Sequence, residues 1–169
     1  MRFLNNLISI GYTLSIFFCA SVCATAHLSG EFKQSKHFAG FSKPFVSEGV
    51  FTLEDNKLNW HVMKPVEGTL LIENGHVFVK NNEGKLEPQP GSEQFVGLLT
   101  DLLAMDIAAL QARFDVTEQE ECLILIPKDT LLSQLFSNFI LCENNKRVNS
   151  LTLNEHAGSN TLIEFYYKN

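Results

Sequence analysis

The chain has 169 residues, the size of one ordinary domain, of which 45% are hydrophobic and 19% are charged. This composition excludes a disordered tail, a collagen-like fibre and a low-complexity linker. The formal net charge of −6 repels phosphate backbones, so we expect no nucleic-acid partner. Phenylalanine is frequent, with 14 residues against one tryptophan and three tyrosines, which indicates a large dry interior or a dry pocket.

The first 26 residues have the pattern of a secretory signal peptide. Arg2 stands in a short polar start, an apolar run covers residues 7–20, and small residues end at Ala26. We therefore predict cleavage after Ala26 and export of residues 27–169 as one soluble domain. An uncleaved membrane anchor and a lipid-modified N-terminal cysteine remain open as alternatives.

Hydrophobic residues alternate with period two after Ser29, as in half-buried antiparallel strands. In the first of two successive predicted strands, one face carries Phe45, Ser47, Gly49, Phe51 and Leu53. In the second, Leu58, Trp60 and Val62 alternate with Lys57, Asn59, His61 and Met63. Asn74-Gly75 between two further apolar runs predicts a tight hairpin, because both residues tolerate positive φ. Residues 85–91 include Pro88 and Pro90, so we predict a connection there and no central strand.

The hydrophobic period changes in the middle of the chain. Ser92 is a predicted helix N-cap, and the apolar stripe that follows at helical spacing consists of Phe95, Leu98, Leu99, Leu102 and Leu103. Asp106 is predicted to cap a second short helix over residues 107–113. Residues 129–136 are predicted to form one or two helical turns.

Strands return in the second half of the chain, at residues 114–118, 121–126, 138–143, 148–155 and 161–168. The expected fold class is therefore mainly β, with about ten antiparallel strands and inserted helices. Such a domain closes into a barrel or forms a strongly curved sheet.

Two cysteines follow the predicted signal peptide, Cys122 and Cys142, and both fall in predicted strands. An even pair in an exported protein is typical of a disulfide, which we expect between neighbouring strands. Two buried free thiols are the alternative. A metal site is not expected, because two cysteines without a close histidine or third cysteine do not complete a zinc shell.

No pattern of catalytic residues is present in the sequence. The five histidines are scattered without ligand spacing, and the sequence contains no Gly-x-Ser-x-Gly elbow, no P-loop and no dinucleotide-binding glycine run. We therefore expect a protein that is not an enzyme and has no cofactor. The helix and the curved sheet either fill each other as a solid core or leave an apolar cavity under a movable lid, and periodicity does not choose between them.

Several segments in order along the chain resemble the periplasmic outer-membrane lipoprotein carrier (LolA) family. In the first half these are the strand openings at residues 32–36 and 40–51, and the aliphatic-x-Trp strand at residues 58–65 that ends in x-x-Pro. In the second half they are residues 125–129 before a short helix, then 139–141 and 161–165. The resemblance covers nearly all of residues 27–169.

The resemblance implies an unclosed antiparallel β-barrel, a half-barrel, with a helical lid over its mouth. It implies a monomeric periplasmic carrier that shields the acyl chains of a lipoprotein or lipid, between an inner-membrane donor and an outer-membrane acceptor. One departure is the turn at residues 54–57, which has no arginine where the family has one. A carrier of another lipid, such as a fatty-acyl or polyene product, therefore remains an alternative, as does an envelope interaction module with a solid interior.

Under the carrier interpretation, apolar residues of the sheet and of the helices line the cavity. The candidate lining residues are Phe51, Leu53, Trp60, Leu70, Ile72, Phe95, Leu98, Leu99, Leu102, Leu131 and Leu135.

Overall fold

A computed structural model describes residues 27–55, 57–81, 83–89 and 93–168, without the side chains of residues 93–97. The predicted signal peptide at residues 1–26 and the predicted N-cap Ser92 lie outside the described residues. Among the described helices, none combines the length and the apolar character that crossing a bilayer requires.

Over the described residues, the strands form one eleven-stranded antiparallel sheet in the order β6-β5-β4-β3-β2-β1-β11-β10-β9-β8-β7. The strands are β1 (Leu28–His37), β2 (Phe45–Glu54), β3 (Lys57–Lys64), β4 (Gly68–Glu73), β5 (His76–Lys80), β6 (Leu86–Pro88), β7 (Phe114–Gln119), β8 (Cys122–Pro127), β9 (Phe136–Asn144), β10 (Arg147–Glu155) and β11 (Asn160–Tyr167). The outermost strands β6 and β7 do not pair with each other, so the sheet is an unclosed barrel. The predicted fold class is confirmed.

Local turn chemistry explains the strand order in the first half of the sheet. Asn74 and Gly75 have φ of 51° and 77°, the conformation of the predicted two-residue hairpin between β4 and β5. The predicted connection at residues 85–91 was wrong at Leu86–Pro88, because these residues form β6, which pairs with β5 through Phe78 and Pro88. The prediction of no central strand there is confirmed, since β6 lies at the edge of the sheet. A proline is tolerated there because β6 is an edge strand, which pairs with β5 alone among the strands of the described residues.

The helices are α1 (Glu93–Ala104), α2 (Ile107–Arg113) and α3 (Thr130–Leu135). The side chain of Asp106 accepts a hydrogen bond from the backbone N–H of Ala109 at 3.0 Å, so Asp106 caps α2 as predicted. Asp129 caps α3 in the same way, accepting from the N–H groups of Leu131 and Leu132 at 2.9 and 3.0 Å.

All three helices lie against one face of the sheet, called here the inner face. Helix α1 contacts β5 and β10, which belong to opposite halves of the sheet, while α2 packs on β7 and α3 packs on β8 and β9. Helix α1 therefore bridges the opening of the half-barrel. Apolar residues of the sheet and of the helices form a single hydrophobic core.

A disulfide joins Cys122 to Cys142 in the second half of the sheet. The two residues are directly paired across β8 and β9, which is the neighbouring-strand arrangement expected from the sequence.

Candidate functional site

The inner face of the sheet holds a cluster of aromatic rings on the adjacent strands β3, β2, β1 and β11, called here the aromatic floor. The rings of Phe32 and Trp60 stack with their centroids 3.8 Å apart and an interplanar angle of 24°. The ring centroids of Phe165 and Tyr167 lie 5.5 and 5.7 Å from that of Phe51, in edge-to-face arrangements. Offset and edge-to-face contacts of this kind stabilise an aromatic cluster beyond the area that it buries.

The alternation of the strands and one glycine together build the aromatic floor. Phe51 pairs with Trp60 across β2 and β3, so their side chains lie side by side on the inner face. Phe32 pairs with Gly49 across β1 and β2. A Cβ atom on Gly49 would approach two ring carbons of Phe32 at 2.7 Å. The missing side chain at Gly49 is therefore what allows Phe32 to lie across β2 and reach Trp60.

The helical side of the site is a stripe of leucines on α1. Leu98, Leu102 and Leu103 are buried in the same core as the aromatic floor, and Leu99 is half-buried against it. Their spacing of three and four residues places them on one side of the helix. The aromatic floor and the leucine stripe together form an apolar interior between the inner face of the sheet and helix α1.

A charged corner joins α1 to α2. The Arg113 guanidinium lies 3.3 Å from a carboxylate oxygen of Asp101, and both side chains are mostly buried. Burial raises the pKa of Asp101 above the ordinary aspartate value, and the charge of Arg113 opposes that effect. Met105 between the helices has a positive φ of 52°, which produces the sharp turn from one helix to the next. The corner therefore fixes the direction of α1 relative to α2.

Tyr167 is the polar member of the aromatic floor. Its hydroxyl is buried and has no hydrogen-bond partner among the described residues, and the Arg147 guanidinium lies 5.3 Å from the centre of its ring. Burial raises the pKa of Tyr167 to about 12, with a smaller opposing effect from Arg147. The phenol is therefore neutral at physiological pH, and the floor carries no charge at this position.

The structure buries six of the predicted lining residues, which are Phe51, Leu53, Trp60, Ile72, Leu98 and Leu102. Leu70 and Leu99 are half-buried and pack against the same core. The side chain of Phe95 lies outside the described residues.

Helix α3 places a different leucine in the core from the two predicted. Leu132 is buried, whereas Leu131 is half-buried and Leu135 is 46% exposed where the chain enters β9. The reason is the shortness of the helix, since six residues make fewer than two turns and direct only one leucine at β8 and β9.

Other buried residues, which were not among the candidate lining residues, complete the apolar interior. They are Phe32, Leu58, Val77, Leu103, Leu110, Phe114, Leu125, Phe139, Leu141, Val148, Leu151, Ile163 and Phe165. For Leu103 the signal was the apolar stripe of α1, and for the residues on strands it was the period-two alternation. That pattern shows which face is dry, but it does not show which residues of distant strands meet.

Polar grooves lie on the outer face of the sheet, away from the apolar interior. One of about 410 Å³ is lined by His61, Thr69 and Lys80, where the His61 Nδ1 atom lies 2.9 Å from the Thr69 hydroxyl. Another of about 480 Å³ includes Thr52 and Asn59. Among the described residues, no group of three or more His, Cys, Asp or Glu side chains is placed to hold a metal ion.

Comparison with known proteins agrees with the family resemblance of the sequence. The model of the family described as "Outer membrane lipoprotein carrier protein LolA" matches residues 24–168. No curated protein matches the chain.

Two solved structures are similar to this chain over most of its length. A LolA superfamily protein from Nitrosomonas europaea is 8% identical, with a TM-score of 0.49, over 83% of this chain and 84% of that one. A DUF1329 family protein from Desulfovibrio piger is 14% identical, with a TM-score of 0.46, over 85% of each chain.

Proposed function

This chain belongs to the outer membrane lipoprotein carrier (LolA) family, and from that membership we propose that it is a carrier of acyl chains. The acyl chains of a lipoprotein or lipid would lie between the aromatic floor and helix α1 while the ligand crosses an aqueous compartment. Each methylene exposed to water costs about 0.8 kcal/mol, so a carrier needs an apolar enclosure and no catalytic group.

The observation that carries this proposal is the position of α1. Its residues Leu98, Leu102 and Leu103 belong to the same buried cluster as Phe51 and Trp60 of the floor. Moving α1 away would uncover two facing apolar surfaces with no charged side chain among these residues. An extended acyl chain is the ligand that such surfaces fit.

Loading by this route exchanges one apolar contact for another. The acyl chain takes the place of leucine contacts that α1 makes in the empty protein, so the net gain in buried area is modest. A modest gain keeps the ligand releasable, because a carrier that gained the full burial energy would hold its ligand too tightly to deliver it.

The sequence features outside the fold agree with this role. A signal peptide over residues 1–26 would export the domain to the periplasm, where a disulfide such as Cys122–Cys142 is stable. The carrier would act as a monomer, taking its ligand from an inner-membrane donor and delivering it to an outer-membrane acceptor. It would not be an enzyme.

A second candidate ligand is a lipid that has no protein attached, such as a fatty-acyl or polyene product. The turn at residues 54–57 favours it, because the arginine that the family uses to hold the lid is missing there. Mass spectrometry of molecules that copurify with the protein separates the two candidates. A triacylated lipoprotein supports lipoprotein transport, and a free lipid supports the second candidate.

Uptake of a fluorescent apolar dye tests the carrier proposal against an interaction module with a solid interior. Saturable binding is expected for the wild-type protein. The variant Leu99→Glu places a charge beside the apolar interior and should weaken dye binding at least about tenfold. The matched control is Leu135→Glu, at an exposed leucine outside the core, which should bind dye like the wild type.

Circular dichroism of both variants shows whether each one folds. If the wild type takes up no dye, or Leu99→Glu unfolds whereas Leu135→Glu does not, the interior is solid and the carrier proposal fails.

A further inference from the structure

Three exposed phenylalanines lie in the connection between β1 and β2 and at the first residue of β2. Phe38, Phe41 and Phe45, called here the aromatic tip, are 43%, 65% and 61% exposed. Their ring centroids lie 5.4 to 6.3 Å apart in edge-to-face contacts. Single exposed apolar residues are normal on a protein surface, whereas contiguous exposed apolar clusters mark sites of interaction.

Hydrogen bonds hold the aromatic tip in place. The backbone N–H of Phe41 donates to the Phe38 carbonyl at 3.0 Å and closes a turn. The N–H of Ala39 donates to the hydroxyl of Ser159, a buried residue in the turn between β10 and β11. The loop is therefore closed by one hydrogen bond of its own and held to the turn between β10 and β11 by another, while its three rings stay exposed.

The charge of the tip differs from that of the whole protein. Residues 37–47 contain Lys43 and no aspartate or glutamate, although the chain has a net charge of −6. At the base of the loop Lys36 forms an ion pair with Glu155, and its ammonium group lies 5.4 Å from the centre of the Phe38 ring. The tip thus combines apolar rings with a local positive charge.

Another exposed apolar residue lies at the same end of the sheet. Strand β2 begins beside the tip and pairs with the end of β3, so the connection between β3 and β4 is adjacent to this end. That connection contains Val66, which is 77% exposed. Exposed apolar side chains are therefore present on two neighbouring connections.

We propose that the aromatic tip inserts into the surface of an anionic lipid bilayer. Phenylalanine rings partition into the headgroup boundary, and a nearby lysine adds attraction to anionic lipids. The inference rests on the proposed carrier function, because a protein that collects or delivers acyl chains gains from touching the membrane where they are found. Contact through the tip would bring one end of the half-barrel to the bilayer.

Cosedimentation with vesicles tests the proposal. Protein recovered from the soluble envelope fraction is mixed with vesicles of phosphatidylcholine and phosphatidylglycerol at about three to one, whose negative surface attracts basic residues. The wild type should sediment with these vesicles. The variant Phe41→Ser should bind about tenfold more weakly, because most of one ring no longer enters the lipid.

Two further variants separate the roles of apolar insertion and charge. Lys43→Gln should weaken binding about fivefold on the anionic vesicles and leave binding to pure phosphatidylcholine vesicles unchanged. The matched control is Tyr166→Ser, a half-exposed aromatic at the opposite end of the sheet, which should bind like the wild type. All variants share the same N-terminus, so differences in vesicle binding among them arise from the substituted side chains.

Two results would overturn the proposal: a wild type that ignores both kinds of vesicle, or Phe41→Ser and Lys43→Gln variants that bind as well as the wild type. A tip that instead binds a protein partner would give the first of these results. Dye uptake by the same variants separates this inference from the carrier function, since tip variants should still take up dye. A wild type that takes up no dye but binds the anionic vesicles through the tip would refute the carrier function and still support insertion of the tip into the membrane.

Discussion

Replacement of Gly49 by alanine should break the aromatic floor. The added Cβ would meet the His61 carbonyl oxygen and two ring carbons of Phe32, the latter at 2.7 Å, which is well inside van der Waals contact. The carbonyl belongs to the backbone of β3 and does not move aside. The Phe32 ring is held in its stack on Trp60 at 3.8 Å, so it yields only by giving up that stack.

The expected cost follows from these two contacts. Overpacking of a buried site costs about 1–3 kcal/mol, and loss of an aromatic pair adds about 1 kcal/mol. Gly49→Ala should therefore lower the free energy of unfolding by about 3 kcal/mol, which corresponds to a fall in Tm of about 10 °C for a domain of this size. Thermal unfolding is followed by circular dichroism and by the fluorescence of Trp60, the one tryptophan of the chain.

Gly68→Ala is the matched control. A Cβ at Gly68, which opens β4, would have no heavy atom within 4 Å. Alanine there should leave Tm unchanged or raise it slightly, because it restricts the unfolded chain. In the double variant Gly49→Ala with Phe32→Leu, the smaller side chain should recover part of the lost stability. A Gly49→Ala protein that melts within about 2 °C of the wild type would refute this account of the floor.

Three further predictions concern stability. Reduction of Cys122–Cys142, or its double replacement by serine, opens a loop of 20 residues and should cost about 3 kcal/mol in chemical denaturation; an unchanged midpoint would argue against the bond. Absorbance titration should find one tyrosine ionising near pH 12, and Tyr167→Phe should remove that late step. Because folding favours the neutral phenol, its contribution to stability is complete below pH 10 and is lost as pH rises through 12. Asp129→Ala removes two capping hydrogen bonds of α3 and should cost about 1 kcal/mol, with a zero change contradicting the cap.

Elements governed by local rules could be predicted from the sequence. Asn74-Gly75 formed its hairpin because both residues accept positive φ, and α2 began after Asp106 because that side chain caps it. The fold class followed from strands that alternate with period two. The pairing of Cys122 with Cys142 was foreseen as a pairing between neighbouring strands, which the register provides.

Features that depend on distant pairing could not be predicted in the same way. The stack of Phe32 on Trp60 requires the register of β1, β2 and β3 and the missing side chain at Gly49. The period-two alternation of hydrophobic residues within each strand gives no information about either. The edge strand β6 depends on a partner, β5, that compensates for the poor strand propensity of Pro88. Leu132 is buried instead of the predicted Leu131 and Leu135, because the side of α3 that faces β8 and β9 carries Leu132.

Trp60 reports directly on the space between the aromatic floor and α1, where acyl chains are proposed to lie. A fatty acid brominated in mid-chain quenches tryptophan on contact, so its titration into the protein measures whether a chain reaches the floor. We expect saturable quenching of Trp60, no quenching by the same fatty acid without bromine, and weaker quenching in Leu99→Glu. Emission that stays unchanged up to the solubility limit of the brominated fatty acid would show that no acyl chain enters this space.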